Sequence, residues 1–294
     1  MAERHEGGID MYNFPIGVIL ESFRTDRSTA IEKAVRIGAN GIQMYATSGM
    51  NAPENLSAAE RKALLEEVKR AGLVFSALCG DLGQGFGNRE NNPGLIEKSK
   101  QIINLANDLD TNIVTTHIGV VPEDENEERY KIMQDACFQL AEYADRCGSH
   151  FAVETGPEPS AVLKKFLDSL HSKGVAVNLD PANLRMSVDE NPVDAVYNLQ
   201  DYIVHTHAKD GRMLYRANTE YIYGEKPMPK ELEGIVFDEE VPLGTGDVNF
   251  TEYLKALDAV GYRGFLTIER EVGAEPEKDI VQAYAYLKEC IAKG

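Results

Sequence analysis

The sequence predicts a closed (β/α)8 TIM barrel, one domain across residues 1–294. Three observations lead there. Short apolar runs alternate with amphipathic helical patterns eight times along the chain. The runs are almost continuously apolar, as strands are when helices cover both faces of a parallel sheet. No glycine-rich phosphate loop follows the first run, where Glu21-Ser-Phe-Arg-Thr-Asp26 stands instead, and this disfavours an open doubly wound sheet.

In order, the strand runs are 15–20, 41–45, 73–79, 112–117, 150–154, 175–180, 202–207 and 264–269. The helical patterns between and after them are 28–37, 57–71, 95–109, 127–147, 160–172, 192–199, 250–260 and 276–292. In the second pattern Leu64, Leu65 and Val68 share one face, with charges opposite. Ser57 and Glu60 have capping-box spacing, and Asn249 and the pair Asn191-Pro192 read as helix starts. Gly38, Gly72, Gly174 and Gly261 read as helix stops. The joints Ile37-Gly-Ala-Asn-Gly-Ile42 and Val260-Gly-Tyr-Arg-Gly-Phe265 echo one another, a faint mark of a repeated unit. Gly83-Gln-Gly-Phe-Gly87 has the spacing of an anion-binding nest, but no helix follows directly, so it reads as a flexible loop after the third strand.

One stretch breaks the rhythm. Residues 211–246, between the seventh strand and its helix, are long and mixed, with Arg212, Tyr215, Arg216, Tyr221 and Tyr223 followed by Pro227, Pro229 and an acidic segment at 231–240. A loop of this length without a pattern of its own suggests function, and its position predicts a lid that brings aromatic walls to a pocket.

Bulk properties exclude several classes of function. The formal charge is −18, from 48 acidic and 30 basic residues, and no basic run occurs, so a nucleic-acid partner is not expected. The four cysteines show neither metal-finger nor disulfide spacing and suit a reducing compartment. Residues 1–10 are polar, and no stretch approaches the length of a membrane span. A cytoplasmic protein without a membrane partner is the expectation.

The chemistry is concentrated where strands end. Glu154, Asp180, His207 and Glu269 each close an apolar run, on four strands consecutive in the sequence. Side chains alternate along a strand, so Ala152 shares a face with Glu154, Asn178 with Asp180, His205 with His207, and Thr267 with Glu269. If the later member of each pair faces the barrel mouth, three oxygen donors and one nitrogen converge. That set suits one divalent cation, with Mn²⁺ first and Mg²⁺, Co²⁺ or Zn²⁺ as the other candidates. A buried polar cluster of this kind is costly unless a cation satisfies it. His205 is expected one layer deeper as a hydrogen-bonded histidine. His117, Glu158, Asn183 and Lys209 follow or end strands and are candidate substrate contacts; Asp210 reads as a turn cap. His5 and His171 carry no case, and no Gly-x-Ser-x-Gly element supports a nucleophilic serine.

Several segments resemble the sugar isomerase/epimerase superfamily with the xylose isomerase-like TIM barrel. They are Val153-Glu-Thr-Gly156, Asn178-Leu-Asp-Pro-Ala-Asn183, His205-Thr-His-Ala-Lys-Asp210, Leu243-Gly-Thr-Gly-Asp247 and Thr267-Ile-Glu269. The resemblance runs through the chain and implies a small carbohydrate substrate and one metal ion held by Glu154, Asp180, His207 and Glu269. It also implies catalytic roles for Glu154 and Glu269, exchanging a proton on opposite faces of an enediolate, as in ketose 3-epimerisation. Barrels of this superfamily commonly pair, so a homo-oligomer is compatible with it. Two departures touch substrate binding. Characterised ketose 3-epimerases carry a histidine three residues after the metal aspartate, where this chain has Asn183, and the 211–246 excursion is longer than they need. Lyases of the inosose dehydratase or C-glycoside-cleaving kind share the metal set and form the alternative, and a carbohydrate-binding barrel without catalysis is the third reading.

Overall fold

The computed structural model describes residues 12–293. The polar stretch 1–10, with His5, lies outside the described residues. Eight parallel strands close a barrel: β1 (Ile16–Ile19), β2 (Gly41–Tyr45), β3 (Val74–Cys79), β4 (Ile113–Thr116), β5 (His150–Glu154), β6 (Val175–Leu179), β7 (Ile203–Ala208) and β10 (Leu266–Ile268). Each pairs with its neighbour in sequence order, and closure joins Ile16 of β1 to Leu266 of β10. The two remaining strands, β8 (Asp210–Met213) and β9 (Asp238–Val241), form a separate antiparallel hairpin over the mouth.

Eight helices ring the barrel: α1 (Arg27–Ile37), α2 (Ala58–Arg70), α3 (Asn92–Asp108), α4 (Glu128–Arg146), α5 (Ser160–Asp168), α7 (Pro192–Leu199), α9 (Phe250–Ala259) and α10 (Pro276–Lys293). Their starts follow from side-chain chemistry. Ser57 and Glu60 form the full capping box, and Asn191 and Asn249 accept the backbone N–H of Val193 and Glu252. Gly38 ends α1 in the left-handed conformation, φ 89°. The helices bury their apolar faces against the outside of the sheet, where Phe151 and Phe166 are among the largest fully covered side chains. Each such ring contributes about 1.5–3 kcal/mol through burial.

Three expectations need correction. Gly174 does not stop a helix, because α5 already ends at Asp168. It lies before β6, where a Cβ would sit 2.0 Å from the Ala141 carbonyl oxygen, so close backbone approach is what requires glycine there. A short extra helix, α6 (Pro181–Ser187), follows β6, because Asp180 caps it and Pro181 fits its first turn. Residues 211–246 are not without pattern: they hold the hairpin and a one-turn helix, α8 (Thr219–Ile222). In addition, the loop with Gly83 and Gly85 is pinned by Phe86, which is buried edge-on against Phe151.

Two irregularities in the barrel set the phase of polar side chains. Between β2 and β3 the register skips Ser76, and between β6 and β7 it skips Val204. The first shift falls at Gln43 and the second at Asn178, both buried. Bulges of this kind re-aim side chains near functional sites.

Candidate metal centre

Glu154 ends β5, Asp180 caps α6 after β6, His207 is the fifth residue of β7, and Glu269 follows β10. All four are buried, and one ligand atom from each lies within 4.8 Å of every other. His207 Nδ1 sits 3.1 Å from Glu269 Oε2, 3.4 Å from Asp180 Oδ2 and 3.5 Å from Glu154 Oε1. Three carboxylates around one imidazole nitrogen demand positive charge, as a proton on the ring or as a metal ion beside it. Burial alone would depress the His207 imidazole, yet Glu269 and Glu154 hold it well above its ordinary value.

Burial raises the Glu269 carboxyl, but His207 and Lys209 outweigh it and hold the group well below the usual carboxylate range. At Glu154 burial is outweighed by His117 and His207, and the carboxyl also falls. Asp180 goes the other way, because its burial is only partly offset by His207 and Lys209.

Neighbouring groups fix these four in place. Asn178 Nδ2 donates to Glu154 Oε2 at 2.9 Å, and Asn183 Nδ2 donates to Glu154 Oε1 at 3.1 Å. One Asp180 oxygen accepts the Asn183 N–H at 2.9 Å as the helix cap. The other, Oδ2, is buried without a hydrogen-bond partner, and Glu269 Oε2 is met only by the charge of Lys209 Nζ at 3.2 Å and His207 Nδ1 at 3.1 Å. Orphaned carboxylate oxygens are expensive unless a cation meets them. The donor set therefore fits a divalent cation.

On its other side, His207 Nε2 lies 3.2 Å from Gln43 Oε1, whose amide in turn donates to Thr115 Oγ1, and 3.2 Å from Asn178 Nδ2; with a cation on the Nδ1 side, Gln43 can accept the Nε2 proton. One layer below, Thr267 Oγ1, His205 and Asn178 form a chain with steps of 2.9 Å. His205 thus supports the layer above it through Asn178.

Glu154, His207 and Glu269 line the floor of a cavity of about 750 Å³, and Asp180 lies buried behind them. Of the remaining predicted site residues, His117, Asn183 and Lys209 line it, and Glu158 does not. His117 Nδ1 lies 3.1 Å from Asp81, and Nε2 lies 3.5 Å from Glu154. The ring's recessed seat opposes protonation, but Glu154 and Asp81 raise it to about 9. Lys209 Nζ stands 3.2 Å from Glu269 Oε2 and pairs with Glu271. Glu158 accepts the Val121 N–H at 3.1 Å, and burial pushes its carboxyl up to about 8. It stabilises the loop after β4 and belongs to a separate cavity beneath the lid.

Asp210 does more than cap a turn. Its two oxygens accept the N–H groups of Gly211, Gly244, Gly246 and Val248 at 2.9–3.1 Å, tying together both ends of the lid. On the lid, Tyr223 reaches the cavity, its hydroxyl 2.8 Å from Ser187 Oγ, whereas Tyr215 packs edge-on against Phe237 outside it. The expected aromatic wall is therefore one tyrosine, with Ile222, Asp238, Glu239 and Glu240 beside it.

The sequence profile of the xylose isomerase-like TIM barrels matches residues 31–290. The chain belongs to that family. A provisionally assigned L-ribulose-5-phosphate 3-epimerase of Haemophilus influenzae is 26% identical over 252 residues, covering 82% of each chain. A xylose isomerase domain protein from Planctomyces limnophilus superposes with a TM-score of 0.77 at 25% identity, covering 95% of this chain and 96% of the other. A D-psicose 3-epimerase crystallised in the presence of D-fructose gives a TM-score of 0.70 at 14% identity, covering 96% and 100%. At that identity the likeness speaks for the fold alone.

In this xylose isomerase-like barrel, the strand-end residues are accompanied by groups that sequence reasoning passed over. Gln43 and Asn178 had a signal, since each is a polar residue inside an otherwise apolar run. Asp81 lies two residues beyond β3 with nothing in the local sequence to mark it, and Glu271, which shares the parity of Glu269, lies past the strand end, where parity is too weak a guide to single it out. Cys79 also faces the cavity, but burial pushes its thiol up and leaves it unreactive. Among the described residues no helix is long and apolar enough to cross a membrane.

Proposed function

We propose that the protein is a divalent-metal-dependent sugar isomerase/epimerase whose reaction inverts the carbon beside a ketose carbonyl, a 3-epimerisation. The observation that carries this reading is the convergence of Glu154, Asp180, His207 and Glu269 on one point, with Asp180 Oδ2 unpartnered, at the base of a sugar-sized cavity that Glu154, His207 and Glu269 line. A divalent cation held by those four residues, Mn²⁺ in our reading, supplies Lewis acidity toward a carbonyl and the adjacent hydroxyl oxygen and acidifies the C–H between them.

The chain's own residues do the rest. Glu154 and Glu269 are the outer two of the four, separated around the barrel by β6 and β7, so each addresses the substrate from a different side. His117 and Lys209 beside them keep both carboxyls ionised and ready to accept a proton. One carboxylate takes the proton from the carbon; the other relays a proton drawn from its cationic neighbour, His117 beside Glu154 or Lys209 beside Glu269, to the opposite face of the planar enediolate, and the first carboxyl's proton then passes back to restore the starting state. His117 and Lys209 supply hydrogen-bond donors to the substrate's oxygens, and Asn183 holds Glu154 in its working orientation.

A lyase reading has one observation in its favour. Tyr223 brings a phenol to the cavity, its hydroxyl beside Ser187 Oγ, a proton donor suited to a leaving group. Incubation of manganese-loaded protein with a panel of ketoses in D₂O separates the readings. Deuterium at C3 with formation of the epimer supports the proposal. Loss of water or of an aglycone by mass favours the lyase, and no exchange with any sugar contradicts both.

A further inference from the structure

We infer that the substrate is an uncharged, unphosphorylated sugar whose far hydroxyls are read by carboxylates on the lid. The inference rests on the isomerase/epimerase reading of the site and names its substrate class. Similarity to a protein assigned to a sugar phosphate would suggest the opposite; the charge around this cavity argues against it.

The first ground is the balance of charged groups. Beyond the cluster on the floor, Asp81, Asp238, Glu239, Glu240 and Glu271 line the cavity. The basic groups that face it, Lys209 and His117, are already matched. Lys209 is held by Glu269 and Glu271, and His117 by Asp81 and Glu154. Arg270 neutralises Glu240 but does not line the cavity, and among the described residues Asp238 pairs with no cation. A phosphate dianion placed here meets fixed negative charge with no free cation to receive it.

The second ground is the state of the backbone nests. In barrels of this architecture a phosphate is often held by the loops after the last two barrel strands. Here Gly244 and Gly246, in the glycine-rich stretch after β9, give their N–H groups to Asp210 at 3.0 and 2.9 Å. The loop after β3 behaves alike, Gly83 donating to Asp81 at 2.8 Å. Both of these glycine-rich loops give amide donors to the chain's own carboxylates.

The third ground is positive. Carboxylates are strong acceptors for hydroxyl donors, and such charge-assisted bonds suit a polyol. Asp238 and Glu239 on β9, with Tyr223 and Asn183, offer that chemistry above the floor, where the end of the sugar remote from the metal cluster would lie.

Two measurements on the manganese-loaded protein test this. The first compares deuterium exchange with matched pairs such as D-ribulose and D-ribulose 5-phosphate, L-ribulose and L-ribulose 5-phosphate, and D-fructose and D-fructose 6-phosphate. The second uses calorimetry to compare binding of ribitol, arabitol and xylitol with that of their 5-phosphates and does not depend on turnover. We expect the uncharged member of a pair to be favoured by at least about tenfold in kcat/KM and in affinity. Equal or better use of the phosphate esters would overturn this inference and leave the epimerase reading intact. Binding of an uncharged polyol without exchange of any ketose would support the inference and contradict the epimerase reading. Failure of every polyol and polyol phosphate to bind would overturn the inference.

Discussion

Around the mouth of the barrel, β5, β6, β7 and β10 deliver three carboxylates and one imidazole, whereas β2, β3, β4 and the loops after them deliver an amide, a thiol and a paired histidine and aspartate. The first group gathers the charge. The second sets its orientation: Gln43 meets His207 at Nε2, and Asp81 holds His117 against Glu154. The difference teaches that a cation site in a closed barrel depends on residues from the other half of the barrel, not only on its ligands.

The largest expected effect lies in the charge-gathering half. Glu154→Gln and Glu269→Gln should each reduce ketose deuterium exchange by about 10²–10⁴-fold while circular dichroism and melting stay near those of the parent. Survival of exchange in both would break the distinction between the halves. Next comes Gln43→Leu, which leaves every ligand in place but removes the partner of His207 Nε2. Manganese affinity, read by calorimetry, should fall about 10–100-fold. An unchanged affinity would show that the opposite half is merely packing.

A third effect sharpens the contrast between the floor and the region beneath the lid. Glu158 has its carboxyl raised from 4.5 to about 8 by burial. Between those values the unfolded chain has released a proton that the folded protein keeps, so stability falls as pH rises through the window. Glu158→Gln should remove that slope, being more stable than the parent by on the order of 1 kcal/mol at pH 9 and no more stable at pH 4. Parallel melting curves for the two proteins across that range would contradict the assignment. The smallest effect belongs to the lid rim. Glu239→Gln should narrow the preference for uncharged over phosphorylated polyol by about two- to fivefold in calorimetry, since the group is half exposed.

Much of this was legible because a buried parallel strand writes itself as an apolar run, and a polar residue closing the run must face the mouth or the outer helices. That logic located the strand ends bearing Glu154, Asp180, His207 and Glu269, and the barrel that unites them. It could not locate the role of Gln43 or Asn178. Their aim depends on bulges that pass over Ser76 and Val204, and a bulge is a property of two strands paired at a distance. The lid hairpin was hidden for a related reason. Met213 pairs with Asp238 across a long, charged, non-alternating segment, so neither strand carries a period of its own. Lys209 meets Glu271 beyond the last regular strand residue, where alternation no longer predicts direction.

The most direct test of the central claim is anomalous diffraction from crystals of the protein supplied with manganese. The account predicts a single strong peak per chain within bonding distance of Glu154, Asp180, His207 and Glu269. Manganese bound elsewhere, or no peak among those four side chains at saturating metal, would contradict it.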